Sequence, residues 1–89
     1  MRPISIQMTY RKGKPFAAYI DLGRRSGEPS VRSHSVTPEI IADFASDDRV
    51  LGLEIISPDS VTAEQILDAF DQLGLGRPTA DELAPLVAA

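Results

Sequence analysis

At 89 residues, with 43% hydrophobic and 25% charged side chains, the chain has the size of one domain and is too apolar to stay disordered. It contains no cysteine, which excludes disulfides and thiolate metal ligands, and no apolar run approaches the roughly 20 residues that cross a bilayer. Its net charge of −4 is unevenly spread: residues 1–36 carry seven cations and two acids, +5, while residues 37–89 carry two cations and eleven acids, −9.

The first element is an alternating segment, with Ile4, Ile6, Met8 and Tyr10 on one side and Ser5, Gln7 and Thr9 on the other. A period of two marks a half-buried strand. Arg11-Lys12-Gly13-Lys14-Pro15 has the composition of a turn. A second strand follows from Phe16 to Leu22, with Phe16, Ala18, Ile20 and Leu22 expected on the core side. Residues 23–30 hold no apolar side chain and read as an exposed, mobile loop. Val31 to Val36 is a weaker strand, interrupted by Ser33 and Ser35. Residues 40–44 and 51–55 form two apolar strands folded back across a polar turn at Ser46, Asp47 and Asp48. Gly52 lies mid-strand, where a missing side chain signals a bulge or a close neighbour.

After Pro58 the period changes. Ala63, Ile66, Leu67, Phe70 and Leu73 recur at steps of three and four, which predicts a helix over 63–73. Thr62 and Gln65 have the spacing of a capping box, and Gly74 is placed to end the helix in the left-handed conformation. Thr79 and Glu82 open a short second helix carrying Leu83, Leu86 and Val87, limited by Pro85. Five strands followed by helices predict an α+β fold: an antiparallel meander of four or five strands with one or two C-terminal helices on one face. The chain reads as a single domain over 1–89, with the meander in 1–57 and a helical tail in 58–89.

From Ile6 to Ser57 the chain resembles small bacterial domains grouped as domain-of-unknown-function family 2283. The resemblance rests on the alternating strand Phe16-Ala17-Ala18-Tyr19-Ile20-Asp21-Leu22. It rests above all on the hairpin Asp43-Phe44-Ala45-Ser46-Asp47-Asp48-Arg49-Val50-Leu51-Gly52-Leu53-Glu54-Ile55. Asp48 stands where the family usually carries Gly in the turn. The resemblance implies this sheet architecture and no activity.

No residue set carries an obvious chemistry. His34, the one histidine, neighbours Ser33 and Ser35 along a strand, so the side chains point to opposite faces and cannot act as base and nucleophile. Asp47 and Asp48, with Asp43 and Glu54 nearby, lack the alternating ligands and glycine of a calcium loop and read as turn formers. Arg11, Lys12, Lys14, Arg24 and Arg25 are the candidate contacts for an anion or a partner. The loop holding Arg24 and Arg25 precedes no helix and lacks the Lys-Ser/Thr ending of a phosphate cradle.

The expected function is therefore a non-enzymatic interaction module that binds protein, antitoxin-like or regulatory, with no cofactor and no metal. The alternatives are nucleic-acid or phosphate binding through the basic loops and, last, a small metal-dependent enzyme. The acidic half suits a small basic protein partner, whereas the overall acidity disfavours nucleic acid. A homodimer is expected because neither edge strand of a meander would hold an interior proline or lysine, and because Leu83 to Val87 add apolar surface. Met1-Arg2-Pro3 lacks the apolar stretch of a signal peptide, so a cytoplasmic, membrane-free protein is expected.

Overall fold

Five antiparallel strands and two helices make up the computed structural model, which describes residues 4–87; Met1-Arg2-Pro3 and the side chain of Val87 lie outside the described residues. The strands are β1 (Ser5–Arg11), β2 (Lys14–Asp21), β3 (Arg32–Thr37), β4 (Ile40–Phe44) and β5 (Val50–Ile56). A short 3-10 turn at Pro58–Ser60 leads to α1 (Ala63–Gln72) and α2 (Ala80–Val87). The class is α+β, as the strand-then-helix order predicts.

The strand order is β1-β2-β5-β4-β3, so only β3, β4 and β5 form a continuous meander. A simple five-strand meander would place β3 beside β2. Instead β5 occupies that place, antiparallel to β2 on one side and to β4 on the other. The reason is burial. In β5 the residues Val50 to Leu53 and Ile55 are all buried, so this strand takes the centre, where both edges are paired and water is excluded. Residues 32–35 of β3 are all exposed, and β3 takes an edge.

The core lies on one side of the sheet. Ala18 and Ile20 face Ile55 and Leu53 across β2 and β5, and Ile40 and Ala42 complete the layer from β4. Ile66, Ala69 and Phe70 of α1 close over it, joined by Leu83 and Leu86 of α2. α1 approaches the β3 edge and α2 the β1 edge, so the two helices together roof one face. The apolar residues Leu83 and Leu86 are therefore core, and they offer no surface for self-association.

Local signals fix the helix ends. Thr62 Oγ1 accepts from Gln65 N at 3.1 Å while Gln65 Oε1 accepts from Thr62 N at 2.7 Å, which is the complete capping box. Gly74 stops α1 at φ 71°. The same reciprocal pair opens α2, with Thr79 N donating to Glu82 at 2.8 Å and Glu82 N donating to Thr79 at 3.1 Å.

Two bulges change the expected faces. One falls opposite Thr9 and Tyr10, where the register passes from Ala17 to Pro15 and leaves Phe16 as the extra residue. Phe16 is 47% exposed, outside the core face where alternation put it. The other leaves Val36 unpaired in β3 between Ser35 and Thr37. That bulge disrupts the β3 edge and blunts it against strand addition.

Phe70 is 2% exposed, in the same cluster as Ile20 and Leu53, with Phe44 half-buried against it. Phe70→Ala is expected to cost about 3–5 kcal/mol in urea unfolding, and a loss under about 1 kcal/mol would remove Phe70 from the centre of the core.

Candidate binding surface

Among the described residues no helix covers the second face of the sheet, and cross-strand registers arrange its side chains in rows. Ser5, Asp21, Gly52, Asp43 and Ser33 form the lower row. Gln7, Tyr19, Glu54, Ile41 and Ser35 form the middle row. Thr9, Ala17 and Ile56 form the upper row. Small polar residues thus occupy the edges, and Tyr19, Ile41, Ile56 and three carboxylates occupy the middle.

Tyr19 crosses the lower row instead of standing upright. The position where Gly52 would carry a Cβ lies within 2.5 Å of Tyr19 Cζ and 2.6 Å of the Ile20 carbonyl oxygen. Gly52 is thus a requirement of packing: its bare backbone is the bed for the phenol ring. The Tyr19 hydroxyl accepts from Arg24 Nη2 at 2.9 Å and lies close enough to the Asp43 carboxylate to feel its charge. Asp43 also accepts from Ser33 Oγ at 2.8 Å. Partial burial, and secondarily the Asp43 carboxylate, hold the phenol above its usual pKa against the opposing pull of Arg24, so it stays a neutral donor. Asp21 accepts backbone N–H bonds from Arg24 at 3.0 Å and Gly23 at 2.9 Å, which lower its pKa.

Glu54 differs from these neighbours. It sits in the central strand and the middle row, exposed, and its side chain makes no hydrogen bond or ion pair among the described residues. Asp21 and Asp43 are committed to neighbouring groups, and the Glu54 carboxylate is not.

The 22–31 connection is not the free loop its composition suggests. It must carry the chain from β2 past β5 and β4 to the far edge, about 14 Å at the usual strand spacing. Glu28 pins it there by ion-pairing with Arg49, which also reaches Asp47 at 3.2 Å. Val31 N donates to the Phe44 carbonyl at 2.9 Å, and Arg32 pairs with Asp48 at 2.9 Å while lying over the Phe44 ring. These pairs join the basic and acidic halves of the chain, so part of the charge asymmetry is cancelled internally.

Antiparallel geometry puts the β1–β2 turn at one end of the sheet and the β2–β3 connection at the other. Arg11, Lys12 and Lys14 therefore lie at one end, and Arg24 and Arg25 at the opposite end. The sequence candidates do not come together. Arg24 is occupied by Tyr19, and Arg11 lies 4.3 Å over the Phe16 ring. His34 is exposed on β3, and Ser33 points to the other face toward Asp43. Asp47 and Asp48 pair with arginines, and among the described residues no three His, Asp or Glu side chains converge as metal ligands. Sequence reasoning names Glu54 among the acids near the turn but does not place it beside Tyr19 and Ile41, nor Tyr19 over Gly52; the mid-strand glycine was the available signal.

Two expectations follow from these contacts. Gly52→Ala should destabilise the fold by about 1–3 kcal/mol, since the new methyl must displace Tyr19 and strain the backbone at Ile20. In a Tyr19→Ala background the loss should shrink but persist, because the Ile20 carbonyl cannot move aside; full rescue would show that only the ring is in the way. Acid titration tests the ion pairs. Arg49 beside Glu28, and the Arg49 backbone N–H and guanidinium beside Asp47, hold both carboxyls below their usual range, as Arg77 does for Asp71. A lowered folded-state pKa means that the stabilisation is complete above the ordinary carboxylate range, about 4, and is lost as pH falls through the lower folded values. The melting temperature should therefore be flat down to about pH 5 and then decline, with a shallower decline in Arg49→Gln. An identical acid slope in that variant would exclude the Glu28 and Asp47 pairs as its source.

Among the described residues no helix is long and apolar enough to cross a membrane. Neither a curated protein nor a solved structure matches the chain. Residues 17–57, which run from within β2 through β5 and include most of the uncovered face, match the family model described as a protein of unknown function, DUF2283, the family that the hairpin sequence resembles.

Proposed function

We propose that this protein is a non-enzymatic module that binds a small basic protein, antitoxin-like or regulatory, on the uncovered face of its sheet. The observation that carries the reading is the free carboxylate of Glu54 at the centre of that face. It is flanked by Tyr19 and Ile41, with Ile56 one row above. Aromatic and aliphatic side chains around one unpaired charge suit an interface whose hot spot is a lysine or arginine of the partner. Tyr19 is already tied to Arg24 and bedded on Gly52, and Asp43 is tied to Ser33, so the surface is set before a partner arrives and little ordering entropy is lost on docking. The segment that matches the family contains these residues, while both helices lie outside it. The composition fits a cytoplasmic site of action.

Nucleic acid fits less well. Backbone tracking needs one continuous basic groove, and the five candidate cations divide between two ends of the sheet. Oligonucleotides should bind no tighter than roughly 10⁻⁴ M at physiological salt.

The test compares capture from the native host by the wild-type protein and by Glu54→Lys. An exposed charge change of this kind should leave the melting temperature within about 1–2 degrees of wild type. The expected result is a basic protein retained by wild type and lost with Glu54→Lys. No retained partner, a partner held equally by the variant, or micromolar oligonucleotide binding would each overturn the reading.

A further inference from the structure

Two surface features lie apart from the uncovered face, and each lacks a counterpart within the molecule. The first is the β1–β2 hairpin tip. Lys12 and Gly13 have φ of 53° and 78°, the pair of left-handed residues of a tight two-residue hairpin turn closed by Arg11 and Lys14. Its twist matches the strands, so the tip is a stiff finger. It carries three cations, Arg11, Lys12 and Lys14, and none of them forms an ion pair among the described residues, whereas Arg32, Arg49 and Arg77 all do. Beside the cations stand two aromatic rings, Tyr10 at 55% exposure and Phe16 at 47%.

The second feature is a cavity of about 280 Å³ on the helical side, between the chain just before β1, the chain just after β2 and the segment joining α1 to α2, at the end of the hairpin opposite its tip. Ile4, Leu22, Phe70 and Leu75 give it an apolar floor, and Arg77 and Glu82 stand on its rim. The surface around it is acidic. Asp71 and Asp68 flank Arg77, and Asp81 is exposed at the start of α2 with no ion pair among the described residues.

The geometry points to a homodimer in which the hairpin tip of each copy docks on the helical side of the other, with Tyr10 entering the cavity. A tyrosine suits an apolar floor with a charged rim because its ring is apolar and its hydroxyl seeks a polar partner. The cavity volume is ample for one phenol ring. The three tip cations, which form no ion pair among the described residues, then face a rim where Glu64, Asp68 and Asp71 share a single arginine, Arg77, and so carry net negative charge. A knob on one part of a surface and its pocket on another form open chains unless the contact is reciprocal. α2 packs beside β1, the strand that carries the tip, so knob and pocket lie at opposite ends of one edge, and a two-fold axis crossing that edge between them can satisfy both contacts at once. Neither Glu54 nor the uncovered face takes part, and the dimer leaves that face free.

Sedimentation velocity of the full chain tests this. At low ionic strength and about 100 µM, a species of twice the 9.6 kDa monomer mass is expected, weakening as salt is raised. Tyr10→Ala and the double variant Lys12→Glu/Lys14→Glu should each raise the dissociation constant by about tenfold or more, while Glu54→Lys leaves it unchanged. The decisive arm mixes two charge reversals. Lys12→Glu/Lys14→Glu and Asp68→Lys/Asp81→Lys should each fail to self-associate, yet they should form a mixed dimer together, since both contacts are then complementary. Several results would overturn the proposal: a monomer throughout at low salt, a dimer indifferent to the tip variants, or no rescue on mixing. Binding of a single-stranded oligonucleotide by the tip without self-association would overturn it as well.

Discussion

The ladder between β2 and β5 is the seam on which the rest of the molecule depends. On one side of it lies a local hairpin, β1 with β2, and on the other a local meander, β3 to β5. Each unit can form from neighbours in sequence, but neither can bury its apolar face alone. Pairing Ala18 with Ile55 and Ile20 with Leu53 merges two small apolar strips into one surface wide enough for two helices. The same pairing brings Tyr19 beside Gly52, and it extends past Asp21 when Leu22 N donates to the Leu51 carbonyl at 3.0 Å. Core, uncovered face and chain crossing are all consequences of this one register.

The seam also explains which side of the sheet is free to evolve contacts. A one-residue slip of β2 against β5 would turn Ile20 out and Tyr19 in, so the buried face locks the register of the exposed one. Rigid placement of Glu54 between Tyr19 and Ile41 therefore costs the uncovered face nothing of its own. The core lies on the helical side, and the uncovered face takes its register from it.

Strand and helix existence was legible because it rests on local periodicity. The alternation of Ile4, Ile6 and Met8, the three-and-four spacing from Ala63 to Leu73, and both capping boxes are signals contained in a few consecutive residues. Strand order was not legible in that way. The order turns on β5 being more apolar than β3 and on a long connection that can span the sheet, which is a comparison between distant segments. Phe16 misled for a different reason: a bulge shifts the alternation by one residue, and nothing local in Lys14-Pro15-Phe16-Ala17 announces it. Gly52 did announce something, but the partner lying over it, Tyr19, is on another strand and needed the register to be found. Asp48 shows the reverse case. Its place in the turn, where glycine is usual in the family it resembles, has φ of 66°, and aspartate is among the residues that tolerate that conformation; its carboxylate then holds Arg32.

The charge asymmetry has three separate fates in the folded chain. Some of it is cancelled across the halves, as Glu28 with Arg49 and Arg32 with Asp48 fasten the long connection to the β4–β5 turn. Some is cancelled within the acidic half, where Arg77 sits among Glu64, Asp68 and Asp71 at 3.8, 3.5 and 2.6 Å. What remains is the informative part. Exposed ion pairs contribute little to stability, so leaving Lys12, Lys14, Glu54 and Asp81 unpaired costs the fold almost nothing. Unpaired charges on rigid elements, however, are worth more to a partner than flexible ones, because their geometry is fixed before contact. The cations remain on a tight hairpin tip, one acid at the centre of a sheet, and another at the start of a helix. Among the described residues these charges have no ionic partner, and the backbone of the turn, strand and helix alone fixes where they stand.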